Sequence, residues 1–157
     1  MPLGELSFDL PHFLELLVRL GVAFVLALPI GWERERSTRS AGLRTFPLVA
    51  VASCGYTLLA VQLPGIGADA HSRVLQGLLT GIGFIGGGAI LKSEQQVRGT
   101  ATAAVIWVTG AIGAAAGYGR METALLLAMF ALVALRGLGT VERRLGRGHE
   151  RESSDRS

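Results

Sequence analysis

Five apolar stretches follow one another along the chain, separated by short connections that are polar or rich in glycine. Each stretch approaches the roughly 20 residues that a helix needs to cross a hydrocarbon core about 30 Å thick. The stretches are Phe13–Trp32, Thr45–Leu63, Val74–Leu91, Gly99–Tyr118 and Met121–Leu138. We therefore predict an all-α fold, a polytopic membrane bundle of about five transmembrane helices in which successive helices are antiparallel neighbours.

Basic residues are distributed unequally between the connections. One side of the predicted bundle carries the basic residues of the first and third connections and of the C-terminal segment: Arg34, Arg36, Arg39, Arg44, Lys92, Arg98, Arg136, Arg143, Arg144, Arg147, Arg151 and Arg156. The other side carries only Arg73 and Arg120. Because positively charged connections stay in the cytoplasm, we predict an N-out, C-in orientation.

On this interpretation the chain has three parts. Residues 1–12 form an extracytoplasmic N-terminus, residues 13–140 the transmembrane domain, and residues 141–157 a cytoplasmic tail. The tail has too few apolar residues to bury a core, so we predict that it is disordered. No Lys or Arg precedes the first stretch, which ends in Glu33-Arg34-Glu35-Arg36 and not in a cleavage site. We expect it to be retained as a membrane helix.

Composition supports a membrane class over a nucleic-acid binder. Half of the 157 residues are apolar, and the net charge of +3 comes from arginines that lie between and after apolar stretches. We therefore expect a lipid bilayer and no nucleic acid as the environment. Cys54 is the single cysteine, which excludes an internal disulfide.

Small residues recur four positions apart in the third and fourth stretches. Such spacing lets two helix backbones approach closely in lipid. The candidate helix-packing residues are Gly77, Gly81, Gly83, Gly87, Gly113 and Gly117. The segment Gly81–Gly86 matches G-x-G-x-x-G, but it lies inside an apolar stretch and not in a βαβ unit, so it does not indicate a dinucleotide site. Alternatively, the run Gly86–Gly88 unwinds the third helix and exposes carbonyls.

Charged and polar residues near the predicted membrane borders form two candidate clusters. The outer-face cluster comprises Glu15, Arg19, Asp69, Arg73 and Gln76. Glu15 and Arg19 lie four residues apart in the first stretch, so they share a helix face and can pair. Interfacial solvation of helix ends and an outward-facing polar site are both open interpretations.

The inner-face cluster comprises Glu33, Arg34, Arg44, Thr45, Arg98, Thr100 and Thr102. Arginine and threonine beside helix N-termini suit an anion, because the free amides and the helix dipole favour negative charge. A salt-bridged structural collar explains the same residues equally well.

Several kinds of chemistry lack their residues. No pair of acidic residues lies within one stretch to hold magnesium, and there is no HExxH motif, no Ser/His/Asp set and no intramembrane carboxylate dyad. We therefore predict no metal site, no cofactor and no enzymatic activity.

Three ordered motifs resemble the MgtC/SapB family of bacterial membrane proteins. They are Gly31-Trp-Glu-Arg-Glu-Arg36 with Ala41-Gly-Leu-Arg-Thr45, then Arg73–Gln76 with Gly81-Ile-Gly-Phe-Ile-Gly-Gly-Gly88, and Val97-Arg-Gly-Thr-Ala-Thr-Ala-Ala104. The resemblance covers about residues 13–138. This chain departs from it at Arg39-Ser40 and at Phe46. The larger members also carry a soluble C-terminal domain, and we expect this chain to correspond to their transmembrane domain only.

The resemblance implies an inner-membrane protein linked to magnesium homeostasis, and to virulence in some relatives. Our first hypothesis is a regulator that binds another membrane protein, or forms a homo-oligomer, through glycine-lined helices. The alternative is a small oligomeric transporter or channel for an ion or solute, suggested by the polar outer-face cluster and the glycine run.

Overall fold

The fold is seen in a computed structural model that describes residues 9–37, 42–62, 67–92 and 97–154. Within these ranges the chain forms five helices, which confirms the predicted all-α class. They are α1 (Leu10–Ser37), α2 (Thr45–Gln62), α3 (Ala68–Gly88), α4 (Thr100–Gly117) and α5 (Met121–Ser154).

A short β-hairpin that the sequence analysis did not predict joins α3 to α4. Strand β1 (Leu91–Lys92) pairs antiparallel with β2 (Val97–Arg98), with Leu91 opposite Arg98. The predicted third span therefore ends early, because the last helical residue of α3 is Gly88 and not Leu91.

Three of the described helices, α1, α2 and α4, are long and apolar enough to cross a membrane. Large apolar side chains also point away from the bundle, among them Val25, Leu59, Phe130 and Val133. A surface of this kind suits lipid acyl chains better than water. The chain is thus an all-α membrane protein; its N-out, C-in orientation stays a prediction.

Helix α4 lies at the centre of the bundle and contacts all four other helices. The core that surrounds it consists mainly of small and branched side chains. On α1 these recur with helical spacing at Ala23, Ala27 and Ile30, and on α5 they recur at Ala124 and Ala128. Alanine at these positions keeps the helix axes close, which is how helices associate in lipid.

Helices α1 and α5 are longer than their predicted spans. Helix α1 continues past Trp32 to Ser37 and contains Pro29. At 1.5 Å per residue its 28 residues measure about 42 Å, more than the hydrocarbon core. The helix is thus longer than the apolar layer is thick, and its charged last turns contact the polar connection before α2.

Helix α5 continues well beyond its predicted end at Leu138. Its backbone is helical as far as Ser154, where the composition of residues 141–157 predicts disorder. This segment contains no proline, and its Glu and Arg residues are good helix formers, so a helix that starts in the bundle can continue through it. Residues 1–8 and 155–157 lie outside the described residues. The division into a membrane domain and two flanking segments stays a prediction.

Candidate functional sites

Three consecutive residues at the end of α1 bind three different elements. The Glu33 carboxylate accepts a hydrogen bond from Arg136 Nε of α5 at 3.1 Å. The Arg34 Nη2 donates to Thr102 Oγ1 of α4 at 2.5 Å, and the Glu35 carboxylate accepts from the Leu43 amide at 3.1 Å. Because successive helix residues point about 100° apart, one short segment joins α1 to α5, to α4 and to the connection before α2. We call these three contacts the α1 junction.

Arg34 is the buried member of this junction. It is 7% exposed, and its partner Thr102 is fully buried near the N-terminus of α4. A buried cation is tolerated only when its donors find acceptors, since its desolvation otherwise costs several kcal/mol. The hydroxyl of Thr102 is one such acceptor, so this contact fixes the approach of α1 to α4.

Two glycines let the connection before α2 pass close to α1. A Cβ at Gly31 would lie 3.2 Å from the Leu43 Cα, and a Cβ at Gly42 would overlap the Glu35 carboxylate. The Gly42 carbonyl in turn accepts the Thr45 amide at 3.0 Å, which starts α2. The glycines and the glutamate of the first motif therefore build the entry into α2.

Gly99 plays a comparable role before α4. Its φ of +91° lies in the left-handed region, and a Cβ there would overlap the Ala89 carbonyl oxygen. A residue with a side chain is disfavoured at such a position by conformation as well as by space. The glycine of Arg98-Gly99-Thr100 is thus needed for the turn from β2 into α4.

The structure brings the predicted inner-face residues to one end of the molecule, but it joins only some of them. Arg34 bonds Thr102, and Glu33 bonds α5. The Arg98 side chain is exposed. Within the described ranges, no side-chain hydrogen bond or ion pair is formed by three members of the cluster: Arg44, Thr45 and Thr100. We call this end of the molecule the basic end of the bundle and define it by Arg34, Arg36, Arg44 and Arg98.

At the opposite end, Arg19 of α1 caps the end of α4. Its Nη1 donates to the Gly117 carbonyl at 2.8 Å, and its Nη2 pairs with Glu15. The chain leaves α4 through Gly119, whose φ is +73°, while the Arg120 amide bonds the Ala115 carbonyl at 2.9 Å. This is a Schellman ending, and a cation beside it complements the negative end of the helix dipole.

The remaining outer-face residues lie on α3 and do not join this pair. Asp69, Arg73 and Gln76 are exposed, and no side-chain bond links them to Arg19 or Glu15 in the described part of the chain. The predicted outer-face cluster thus lies on the two helices that the sequence assigned to it, and a joint role of the two groups stays a prediction. Whether residues on different helices bond each other could not be read from the sequence, because spacing relates residues only within one helix.

The six candidate packing glycines fall into two groups. A Cβ at Gly113 would overlap the Ala50 carbonyl oxygen, and one at Gly117 would lie 2.8 Å from the Cys54 carbonyl oxygen, so both lie where α4 crosses α2. By contrast, Gly77, Gly81 and Gly87 of α3 have no atom within 4 Å of an added Cβ.

The sixth, Gly83, would meet only the Trp107 Nε1 at 3.9 Å. A seventh glycine, Gly110, was missed: its Cβ would overlap the side chain of Ile82. It stands three positions before Gly113 and breaks the four-residue spacing used in the search. The run Gly86–Gly88 ends α3 rather than interrupting it, with the Ala89 amide bonding the Ile85 carbonyl at 3.2 Å.

A long apolar groove of about 760 Å³ runs between α2 and α3. We call it the α2–α3 groove; its walls include Thr45, Ser53, Tyr56, Val74, Gly77, Gly81 and Ile85. A smaller and more polar groove of about 560 Å³ lies between α3 and α4, where Ser72, Gln76 and Thr80 approach Trp107. Both grooves border α3, which has only part of its surface packed against the bundle.

The chain is therefore a helical membrane protein. Its motif residues form the contacts at the end of α1 and the glycine turn before α4. The chain matches the model of the MgtC family over residues 20–144 and belongs to that family. The family resemblance stated from the motifs is thereby confirmed.

Several curated proteins are similar to this chain. Protein SrpB of Synechococcus elongatus is 36% identical, with 83% of this chain and 79% of SrpB covered. Protein MgtC of Salmonella typhimurium is 36% identical over 79% of this chain and 51% of its own length. The protein YhiD of Escherichia coli is 36% identical over 77% of this chain and 59% of its own length. The chain thus spans little more than half of two of these relatives. No solved structure matches it.

Proposed function

We propose that this chain is a non-enzymatic, multi-pass protein of the bacterial inner membrane that takes part in magnesium or ion homeostasis by binding another membrane protein. Two observations support the proposal. The similar protein of Escherichia coli is named "Putative magnesium transporter YhiD", which connects one relative of this chain with magnesium. The second observation is a surface of α3 that no other helix covers, and it supports partner binding. We call this surface, formed by Thr80, Phe84 and Gly87, the open face of α3.

The open face has the chemistry that helices use to associate in lipid. Gly87 has no atom within 4 Å of an added Cβ, so a second helix backbone can approach it. Phe84 is 85% exposed, more than any other large apolar side chain that the structure describes. The Thr80 hydroxyl donates to the Gln76 carbonyl of its own helix at 2.8 Å and keeps acceptor capacity for a neighbour.

The proposal is tested by photo-crosslinking in living bacteria. A photoreactive residue replacing Phe84 is expected to give an adduct with one other membrane protein, identified by mass spectrometry. Cells that lack this chain should grow poorly in low magnesium, and depletion of the crosslinked protein should have the same effect. The matched control carries the photoreactive amino acid in place of Val133, an exposed position on α5, and should give no such adduct.

A second variant pair separates the open face from general effects on packing. Gly87→Leu should reduce the adduct from position 84 at least tenfold, because the leucine blocks close approach. Gly55→Leu on α2 should leave it unchanged, since Gly55 also has no atom within 4 Å of an added Cβ but lies on another helix. Adducts with lipid alone, or equal yields from both variants, would contradict partner binding.

Transport of an ion or solute is the second candidate function. The groove between α3 and α4 favours it, because Ser72, Gln76 and Thr80 place hydroxyl and amide groups in its otherwise apolar lining. Purified protein in liposomes would then carry a magnesium or other solute flux that Gln76→Leu lowers. No flux across a panel of cations, anions and neutral solutes would remove this candidate and leave the regulator.

A further inference from the structure

We propose that the α2–α3 groove binds an anionic phospholipid, with an acyl chain along the groove and the phosphate at Arg44. The site is separate from the open face of α3, so this proposal does not depend on partner binding. It rests on the length of the groove, the space that two glycines leave in it, and the charge at one of its ends.

The groove has the length of one bilayer leaflet. On α2 its wall runs from Thr45 to Tyr56, and on the antiparallel α3 it runs from Ile85 to Val74. Eleven residue steps correspond to about 16 Å of helix, close to half of a hydrocarbon core about 30 Å thick. An acyl chain that enters at one end would therefore lie between α2 and α3 over the depth of its own leaflet.

Two glycines create the space inside the groove. Gly77 and Gly81 both line it, and an added Cβ at either would meet no atom within 4 Å. The groove volume of about 760 Å³ falls within the range of small-molecule sites, roughly 300 to 1,000 Å³. Because α2 and α3 also contact each other, the space is a cleft between neighbours. A helix about 10 Å across would lie over such a cleft, whereas an acyl chain enters it.

The groove opens at the basic end of the bundle. Thr45, the first residue of α2, lines its mouth, and Arg44 precedes it with an exposed side chain. At the same end, Arg36 lies over the ring of the exposed Trp32, with its guanidinium carbon 4.8 Å from the ring centroid. Tryptophan and arginine are typical of the headgroup level, and clustered basic side chains attract anionic lipids. The mouth therefore combines an apolar cleft with the charge that a phosphate headgroup requires.

Native mass spectrometry of the purified full chain in detergent tests the site. The test compares the retention of phosphatidylglycerol with the retention of phosphatidylcholine that has identical acyl chains, so that the two lipids differ in their headgroups and in headgroup charge. The wild-type protein should retain phosphatidylglycerol preferentially. Arg44→Gln should lower that preference about fivefold, the change expected for one arginine near an anionic headgroup. Gly81→Leu fills the groove and should lower retention of both lipids at least tenfold.

Gly87→Leu is the matched control, because it adds the same side chain to the same helix outside the groove, and it should retain lipid as the wild type does. Thermal midpoints in lipid-free detergent establish that all variants are folded. Undiminished retention by Gly81→Leu, or an unchanged headgroup preference in Arg44→Gln, would overturn the proposal. A retained protein in place of lipid would also overturn it. Since Gly87→Leu is expected to weaken partner crosslinking and Gly81→Leu to weaken lipid retention, failure of one proposal is distinguishable from failure of the other.

Discussion

Helices α3 and α4 both carry glycines four residues apart, yet they use them in opposite ways. In α4, Gly113 and Gly117 lie against the backbone of α2, where no side chain fits. In α3, Gly77 and Gly81 line an open groove. The difference comes from position: α4 contacts every other helix, whereas α3 lies at the edge against α2 and α4.

The comparison shows that a small-residue motif identifies a helix that permits close approach, but not the partner that approaches. In α4 the partner is within the chain, so the glycines contribute to folding. In α3 the same spacing leaves room for a molecule from outside. This difference predicts that identical substitutions in the two helices have effects of very different size.

The largest expected effect is that of Gly113→Leu. A side chain there would overlap the Ala50 carbonyl oxygen and lie 2.9 Å from the Ser53 Cβ, so α2 and α4 would have to separate. Overpacking of a well-packed core typically costs about 1 to 3 kcal/mol, and a backbone overlap lies at or above the upper limit. We expect little or no folded protein, measured as the monodisperse fraction on size-exclusion chromatography in detergent.

Gly87→Leu is the paired substitution in α3 and should change the yield and the thermal midpoint little, because nothing lies within 4 Å of its Cβ position. The contrast between the helices would be refuted by equal losses in the two variants. It would equally be refuted by a well-folded Gly113→Leu protein.

Gly99→Ala tests the turn that leads into α4 and is expected to have the second-largest effect. A single methyl group would overlap the Ala89 carbonyl oxygen at a φ of +91°. The left-handed conformation alone costs about 1 to 2 kcal/mol for a residue with a side chain, so we expect a loss of about 2 kcal/mol or more in unfolding by sodium dodecyl sulfate.

Gly119→Ala is the matched control for conformation. Its φ is +73°, but the nearest atoms to its Cβ position are those of the Arg19 guanidinium at 3.5 Å, an ordinary contact. It should show the conformational cost alone, about 1 to 2 kcal/mol, and so a smaller loss than Gly99→Ala. Equal losses at the two positions would mean that the contact with Ala89 does not contribute.

Much of the fold was predictable from local pattern, and the parts that were missed are those that depend on contacts between distant segments. Apolar stretches of membrane length predicted the five helices, and the Glu15–Arg19 pair followed from four-residue spacing. The partners of Glu33 and Glu35 lie on α5 and before α2, which no spacing reveals. The division of the glycines likewise depends on which helix is central.

Thr102→Val should have a smaller effect than Gly113→Leu and Gly99→Ala. Together with Thr80→Val it compares the loss of one hydroxyl group on α4 with the loss of one on α3. Valine keeps the shape of threonine but removes the oxygen that accepts from Arg34 Nη2 at 2.5 Å. Hydrogen bonds to charged groups contribute about 1.5 to 3 kcal/mol, and the remaining partners of a buried arginine offset part of that loss. We therefore expect a destabilisation of about 1.5 kcal/mol in unfolding by sodium dodecyl sulfate.

Thr80→Val on α3 removes a hydroxyl that bonds only its own helix, so a change within about 0.5 kcal/mol is expected. A Thr102→Val protein as stable as the Thr80→Val protein would show that Arg34 anchors α1 to α4 through other groups.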